Sequence, residues 1–160
     1  MFFGEYEHTL DGKSRFILPS RFRESFAKDT IPKFYMTRGF DTCLALYLEE
    51  DWHQEMGRLK KKSYMQGDVR KFQRLLYSRT TEVICDKQGR ILIADKFKES
   101  AEISKNITLV GLDNKIEIWN RMSWQNFNND NGDAFEQLAE ALSEGTSGDK
   151  TSLVKELLNT

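Results

Sequence analysis

The chain contains one sequence pattern twice, and this repeat limits the possible folds more than any other feature. The stretch "LDGKSRFILPSRFRES" (Leu10–Ser25) aligns with "CDKQGRILIADKFKES" (Cys85–Ser100), and five positions are identical. Four further pairs keep their chemical type: Ile17/Leu92, Leu18/Ile93, Arg21/Lys96 and Arg23/Lys98. The repeat predicts that two parts of the chain fold alike.

The match resumes after a shift of three residues, which makes each copy about 45 residues long. The segment "TRGFDTCLALYLEEDW" (Thr37–Trp52) lies over "VGLDNKIEIWNRMSW" (Val110–Trp124), with Gly39 over Gly111. Two copies are too few for a solenoid, which needs three or more to bury its ends. They indicate instead a pseudo-symmetric pair, in which one chain does what a homodimer does elsewhere.

Each copy has the pattern of a small, β-rich unit. A polar turn, Asp11–Ser14 in the first copy and Asp86–Gly89 in the second, lies between two segments typical of strands and predicts a hairpin in each copy. Pro19 predicts the first position of a short helix on which Phe22 and Phe26 share a face. An apolar strand, a Gly-x-Asp turn and an alternating strand follow in both copies. The whole pattern predicts an α+β fold.

Amphipathic helices are predicted between and after the two copies. The first covers Trp52–Lys62, and the next begins with Asp68 as its N-cap. The apolar face of this second helix comprises Val69, Phe72, Leu75 and Leu76. A last helix carries Phe135, Leu138 and Leu142, and "SEGTSGDKTS" (Ser143–Ser152) has the composition of a flexible linker. The predicted organisation is unit 1 over residues 5–52, a helical connector over 53–79, unit 2 over 80–124, and a C-terminal helix with an acidic tail over 125–160.

The charge distribution is more informative than the net charge of −1. Residues 58–79 contain eight Lys or Arg and one acid, whereas residues 130–160 contain seven acids and two Lys. The simplest interpretation of such a charge run is a solvated helix face. A basic segment can also attract a polyanion, so the charges alone leave both interpretations open.

Composition and residue spacing argue against several classes of protein. Two Cys in 160 residues do not make a disulfide scaffold. No segment resembles a signal peptide or reaches the roughly 18 apolar residues of a membrane helix, so we expect a cytoplasmic protein without membrane contact. The two His and two Cys are scattered, and no phosphate-binding loop or nucleophile motif occurs. We therefore expect no enzymatic activity, no catalytic or metal-binding residue, no cofactor and no small-molecule substrate.

The two polar turns, each with an aspartate and an arginine four residues later, have two interpretations. In the structural interpretation, the aspartate caps the turn and pairs with the arginine, which adds little stability. In the functional interpretation, the aspartate fixes the turn while neighbouring cations contact DNA phosphates and base edges. These cations are Lys13, Arg15, Lys87 and Arg90. The presence of the turn in both copies favours the functional interpretation.

Several segments resemble the MraZ family of bacterial transcriptional regulators, which consist of two SpoVT/AbrB-like units. They include "MFFGEYEHTLDGKSRFILPSRFRE" (Met1–Glu24) and "TEVICDKQGRILI" (Thr81–Ile93), and the resemblance extends over residues 1–127. It implies a pseudo-dimeric swapped-hairpin β-barrel formed by two tandem SpoVT/AbrB-like units. It also implies a homo-oligomer, in the form of a ring, that binds double-stranded DNA through the Asp-x-x-x-Arg turns.

The resemblance further implies a function and a set of site residues. The function is sequence-specific regulation of transcription, by binding tandem short repeats in the promoter of the chain's own division and cell-wall gene cluster. A nucleoid-associated location follows from that function. The expected DNA-binding residues are Lys13, Arg15, Arg21, Arg23, Lys87, Arg90 and Lys96, with Asp11 and Asp86 organising the turns. The alternative is a ring-forming structural or protein-interaction module without specific DNA recognition.

Overall fold

The structure is a computed structural model that describes residues 1–27 and 29–144. Residues Met1–Arg121 form one compact unit, which contains the strands of both copies of the repeat, and Met122–Thr160 form a second. The strands are β1 (Phe2–Thr9), β2 (Arg15–Ile17), β3 (Lys33–Arg38), β4 (Leu44–Leu48), β5 (Thr81–Ile84), β6 (Arg90–Leu92), β7 (Asn106–Asp113) and β8 (Lys115–Asn120). The α-helices are α1 (Ser20–Arg23), α2 (Glu49–Lys60), α3 (Gly67–Tyr77), α4 (Asp95–Ser100), α5 (Arg121–Asn131) and α6 (Phe135–Glu144), with a 3-10 turn at Gly132–Ala134.

The same order of elements occurs twice, as the repeat predicts. Strands β1 and β2, helix α1 and strands β3 and β4 form the first copy. Strands β5 and β6, helix α4 and strands β7 and β8 form the second. The protein is therefore a mixed α+β chain, and its sheets are antiparallel.

The two copies exchange strands. The six-stranded sheet has the order β1-β7-β8-β4-β3-β5, so the first strand of each copy pairs with a strand of the other copy. Strands β2 and β6 form a separate two-stranded ladder, which again takes one strand from each copy. Since every ladder except two hairpins joins the copies, neither copy completes its sheet alone.

One hydrophobic core lies between the elements of both copies. Its largest fully buried side chains include equivalent phenylalanines, Phe22 from the first copy and Phe97 from the second. The ring of Phe22 meets those of Phe2 and Tyr6 edge-on, with centroids 5.4 and 5.0 Å apart. A smaller cluster buries Trp52 of α2 against the main sheet.

The connecting helices agree with the sequence pattern in existence but differ in detail. Helix α2 begins three residues earlier than predicted, at Glu49, and its first turn holds three acids that favour the helix N-terminus. Asp68 is not the N-cap of α3, because Gln66 occupies that position and the helix already begins at Gly67. Asp68 lies in the first turn of α3, where a carboxylate is favoured by the helix dipole.

The first short helix also departs from the prediction. Pro19 is the N-cap of α1 rather than its first residue, and α1 ends at Arg23. Phe26 therefore lies beyond the helix and does not share a helical face with Phe22. The reason is that the chain continues in tight turns, with the N–H of Ser25 bonded to the carbonyl of Phe22 at 3.1 Å. Phe26 is nevertheless packed, with its ring centroid 6.2 Å from that of Phe34.

The second unit contains the predicted last helix. The three large apolar residues of α6 are exposed: Phe135, Leu138 and Leu142. Most of the predicted linker Ser143–Ser152, and all of the tail after it, lies outside the described residues. Within the described residues, every helix is too short or too polar to cross a membrane.

Candidate nucleic-acid interface

Asp11 holds the first turn together. Its Oδ1 accepts hydrogen bonds from the backbone N–H groups of Lys13 (2.9 Å) and Arg15 (3.0 Å). Its Oδ2 accepts one from Nε of Arg15 at 2.9 Å. The N–H of Ser14 donates to the carbonyl of Asp11 at 3.0 Å, and the N–H of Asp11 donates to the carbonyl of Arg15 at 2.9 Å. These bonds fix both the backbone of the turn and the direction of the guanidinium group.

The second turn has the same hydrogen bonds. Oδ1 of Asp86 accepts from the N–H groups of Gln88 (3.0 Å) and Arg90 (2.8 Å), and Oδ2 accepts from Nε of Arg90 at 2.7 Å. The N–H of Gly89 donates to the carbonyl of Asp86 at 2.9 Å, and the N–H of Asp86 donates to the carbonyl of Arg90 at 3.0 Å. The bonds made by the aspartates and the backbone are the same in both turns. Gln88, which replaces a lysine, adds one bond in the second turn, since its Oε1 accepts from Nη2 of Arg90 at 3.3 Å.

One backbone position explains a difference between the two turns. Ser14 and Gly89 are equivalent, and both have positive φ, 60° and 80°. Glycine adopts this left-handed conformation without steric cost, whereas other residues are disfavoured there by roughly 1–2 kcal/mol. Serine at this position supplies a hydroxyl, and Oγ of Ser14 accepts a hydrogen bond from Nζ of Lys98 at 2.8 Å.

The β2–β6 ladder joins the two turns. Its register pairs Arg15 with Leu92, Phe16 with Ile91 and Ile17 with Arg90. Two further backbone hydrogen bonds extend the ladder. The N–H of Leu18 donates to the carbonyl of Gly89 (2.7 Å), and the N–H of Ile93 donates to the carbonyl of Ser14 (2.9 Å). Arg15 and Arg90 are the first residues of their strands. Because the strands are antiparallel, the two arginines lie at opposite ends of the ladder, two residues or roughly 7 Å apart along it.

Each turn also receives a cation from the helix of the other copy. Lys98 of α4 bonds to Ser14 in the first turn. Arg23 follows the equivalent path from α1, and a Cβ placed on Gly89 of the second turn would lie 3.2 Å from its Nη1. Lys98 was not among the predicted site residues, although its alignment with Arg23 was a signal for it. The residue pattern of one copy does not indicate that its short helix reaches the turn of the other copy.

The other predicted residues are divided by the structure. Lys13 and Lys87 lie in the turns and are exposed. Arg21 lies instead over the ring of Phe3, with its Cζ 5.9 Å from the centroid. Lys96 lies over the ring of Phe97, with its Nζ 5.0 Å from the centroid. The structure therefore brings Lys13, Arg15, Arg23, Lys87 and Arg90 to the turns, and gives Arg21 and Lys96 ring contacts outside them.

The two sides of the interface are not identical. A groove of about 710 Å³ lies beside the second turn and is lined by Asp86 and Lys87 from that turn and by Arg23 from α1. Phe26 and Ile31 line it from the other copy. The segment that carries them contains three residues more than its equivalent before β7. The groove therefore lies where the two copies differ in length.

The turn geometry lowers the pKa of both aspartates. For Asp11 the largest cause is the hydrogen bond from the backbone N–H of Arg15, and for Asp86 it is the one from the N–H of Arg90. The guanidinium groups lower the pKa of both carboxyls further. Both turns therefore keep a negatively charged aspartate at neutral pH.

We expect a carboxyl-detected NMR titration between about pH 6 and pH 2 to place both aspartates below their ordinary pKa of 3.8. A carboxyl group whose pKa is lower in the folded state than in the unfolded state stabilises the fold. This stabilisation is complete at a pH above the unfolded-state pKa and is lost as the pH falls through the folded-state pKa. In Arg15→Ala the pKa of Asp11 should stay lowered, because the backbone N–H of residue 15 remains. A return of Asp11 to the ordinary value in that variant would show that the ion pair is the main cause.

The remaining reactive side chains do not form a site of their own. Burial raises the pKa of the thiols of Cys43 and Cys85, which are both free and buried. The pKa of His8 is lowered, mainly by burial and to a smaller extent by the positive charge of Arg121. Among the described residues, no group of three or more His, Cys, Asp or Glu could hold a metal ion.

The fold and the site define a duplicated α+β protein with interleaved strands and two equivalent Asp–Arg turns. A family model described as "MraZ protein, putative antitoxin-like" matches residues 1–75 and again residues 76–144. The chain belongs to the MraZ family, which confirms the resemblance found in the sequence. This is a family of regulators rather than of enzymes.

Proposed function

We propose that the chain is a sequence-specific DNA-binding transcriptional regulator that reads its operator through the two Asp-x-x-x-Arg turns. The observation that carries this proposal is the equality of the turns, in which each aspartate binds Nε of its arginine. With Nε held, the guanidinium plane is fixed, and the side chains of Arg15 and Arg90 stay 25% and 31% exposed. Nη2 of Arg90 also donates to Oε1 of Gln88 at 3.3 Å, a bond that DNA binding would have to replace. Arginine presented in this way can bind O6 and N7 of guanine bidentately.

The surrounding charges support DNA rather than a neutral partner. Lys13 and Lys87 are exposed at the turns, and Lys98 and Arg23 lie against the same turns from the opposite copies. Phosphate contacts from such cations position a protein on the duplex, while base contacts specify the sequence. We therefore assign the arginines of the turns to base reading and the other cations to phosphate contact. Arg21 and Lys96 stay predicted phosphate contacts.

A single subunit offers few such contacts, so the proposal includes a homo-oligomer, in the form of a ring. Several subunits on one operator multiply weak contacts when the DNA sites have the right spacing. The operator we propose is a set of tandem short repeats, about one helical turn apart or multiples of it, in the promoter of the chain's own division and cell-wall gene cluster. A protein with this role is cytoplasmic and nucleoid-associated.

The fold that presents the turns is, in this proposal, the swapped-hairpin barrel of two SpoVT/AbrB-like units. The exchange of first strands between the copies, β1 to β7 and β5 to β3, supports it. The units proposed are residues 5–52 and 80–124, joined by the helical connector 53–79 and followed by 125–160. Closure of the barrel would bring the β2–β6 ladder and the open strands β1 and β5 into one continuous wall.

Fluorescence anisotropy against the DNA upstream of the chain's own gene tests the proposal. Intact and scrambled repeats are compared at about 150 mM salt, with wild type and Arg15→Ala. We expect tight binding of wild type to intact repeats only, and a loss of roughly 5-fold or more in Arg15→Ala. Equal, weak binding of both proteins to both DNAs would leave only nonspecific attraction and would refute the proposal.

The second candidate function is that of a protein-interaction module, which one observation favours. Helix α3 has no buried residue, and the apolar side chains of Phe72 and Leu75 are 41% and 60% exposed. A face of this kind suits a protein partner or a second copy of the chain. The two candidates differ at the turns, because a module of this kind does not need Arg15.

A further inference from the structure

Two aliphatic side chains are exposed between the two arginines of the turns. Ile17 in β2 is 51% exposed, and Leu92 in β6 is 50% exposed. Their neighbours Phe16 and Ile91 are buried, at 1% and 0% exposure. The strands thus alternate as expected, but the outward positions carry apolar residues where water would favour polar ones.

The register places these four outward side chains on one face. Residues two apart on a strand share a face, so Ile17 lies on the same face as Arg15, and Leu92 on the same face as Arg90. Across the ladder, Ile17 is opposite Arg90, and Leu92 is opposite Arg15. Directly opposite residues have Cβ atoms about 4.5–5.5 Å apart, so each aliphatic side chain lies next to one arginine from the other copy.

The same arrangement occurs in both copies. Ile17 and Leu92 are equivalent in the repeat, as are Arg15 and Arg90. A single exposed apolar residue on a surface is ordinary and needs no explanation. Here two equivalent apolar residues are exposed, and each lies beside an arginine that is held by its aspartate. The combination of one cation and one apolar group therefore occurs twice.

The chemistry of the DNA major groove matches this pair. The groove admits a two-stranded β-ribbon, guanine presents two acceptors to an arginine, and thymine presents a C5-methyl group to apolar side chains. The β2–β6 ladder is a two-stranded antiparallel ribbon, and cations lie at the turns on both sides of it: Lys13, Lys87, Lys98 and Arg23.

We propose that Ile17 and Leu92 are specificity-determining residues that contact thymine methyl groups next to the guanines bound by Arg90 and Arg15. This inference rests on the proposed DNA-binding function and adds a base type to it. It gives the operator repeat a composition in which guanine and thymine are neighbours. The methyl group is the recognised feature, because aliphatic side chains form no hydrogen bonds with bases.

Replacement of thymine by deoxyuridine in the operator tests this directly, because it removes only the C5-methyl group. Burial of one methyl group is worth about 4-fold in affinity. We expect wild type to bind the intact thymine repeats about 4-fold more tightly, per contacted methyl group, than the same repeats with deoxyuridine. The double variant Ile17→Ala/Leu92→Ala should bind both DNAs equally, at the affinity of wild type for the deoxyuridine repeats. Leu112→Ala serves as the control, because Leu112 is an exposed leucine (41%) on β7 and not on the ladder.

Three outcomes would overturn the inference. The first is equal affinity of wild type for thymine and deoxyuridine repeats. The second is a double variant that still distinguishes them, which would show that the methyl group acts through DNA shape. The third is loss of the oligomeric state of the double variant in analytical ultracentrifugation, which would make the ladder face a subunit contact.

These outcomes are separate from a failure of the proposed function. If wild type binds intact and scrambled repeats alike, the function itself is refuted. If wild type prefers intact repeats and Arg15→Ala weakens that preference, while thymine and deoxyuridine are bound equally, only the methyl-reading role is refuted.

Discussion

Replacement of both Arg15 and Arg90 by alanine is expected to abolish sequence-specific DNA binding while leaving the fold intact. Each bidentate arginine–guanine contact contributes about 1–3 kcal/mol of discrimination, so the loss of two should lower affinity for intact repeats by at least roughly 30-fold. The loss is larger where several subunits bind one operator. Anisotropy titrations with intact and scrambled repeats measure it.

The fold should survive this double substitution for a structural reason. The backbone N–H groups of residues 15 and 90 still donate to Asp11 and Asp86, and the side chains removed are only partly buried. Circular dichroism melting should therefore give a transition close to that of wild type. A large drop in melting temperature would mean that the arginines act mainly as turn supports, and loss of DNA binding would then carry no information on recognition.

Two further variants separate charge from geometry. Arg15→Lys/Arg90→Lys keeps both charges but removes the planar fork, so it should bind intact and scrambled repeats alike and keep the nonspecific affinity. Lys60→Ala removes an exposed cation in α2, outside the turns, and should keep the preference for intact repeats. Wild-type discrimination in the double alanine variant would contradict the assignment of base reading to these arginines.

The turns could be predicted from the sequence because their interactions are local. Asp11 reaches Lys13 and Arg15 within four residues, and the same spacing around Asp86 repeats the pattern. The short run of aromatic and β-branched residues after the turn, Phe16 and Ile17, indicated a strand for the same reason. The order of elements and the α+β class depend on patterns of this length, and both agree with the structure.

The pairing between the copies could not be predicted from residue patterns, because it depends on contacts between distant parts of the chain. The predicted hairpins were wrong, because β1 pairs with β7 rather than β2, and β5 pairs with β3 rather than β6. The sequence pattern of β1 suits either partner equally well, and only the three-dimensional packing selects β7. The hydrogen bond of Lys98 to Ser14 spans 84 residues for the same reason. Helix starts were wrong by one residue at Pro19, by two at Asp68 and by three at Glu49, since small shifts at a helix end change little in the apolar pattern.

Phe22→Ala is expected to cause the largest loss of stability of any substitution considered. Phe22 is 1% exposed and its ring packs edge-on against Phe2 and Tyr6. Truncation of a buried phenylalanine costs about 3–5 kcal/mol, which is a large part of the roughly 5–15 kcal/mol that stabilises an ordinary domain. Urea denaturation followed by circular dichroism measures the change in the free energy of unfolding.

Phe40→Ala is the matched control, because Phe40 is 74% exposed and its removal opens no cavity in the core. Its effect should lie within about 0.5 kcal/mol of wild type. An equal effect of the two substitutions would contradict the packing described for Phe22.

The interleaved strands add a second expectation for Phe22→Ala. The core around Phe22 contains residues of both copies. Strand β1 pairs with the second copy, and strand β5 pairs with the first. The two copies should therefore unfold together, and tryptophan fluorescence and circular dichroism should report the same midpoint for wild type and variant. Phe97→Ala, in the equivalent position of the second copy, should destabilise the same single transition by a similar amount. Two separate transitions, one sensitive to each phenylalanine, would mean that the copies fold independently and that strand exchange does not couple them.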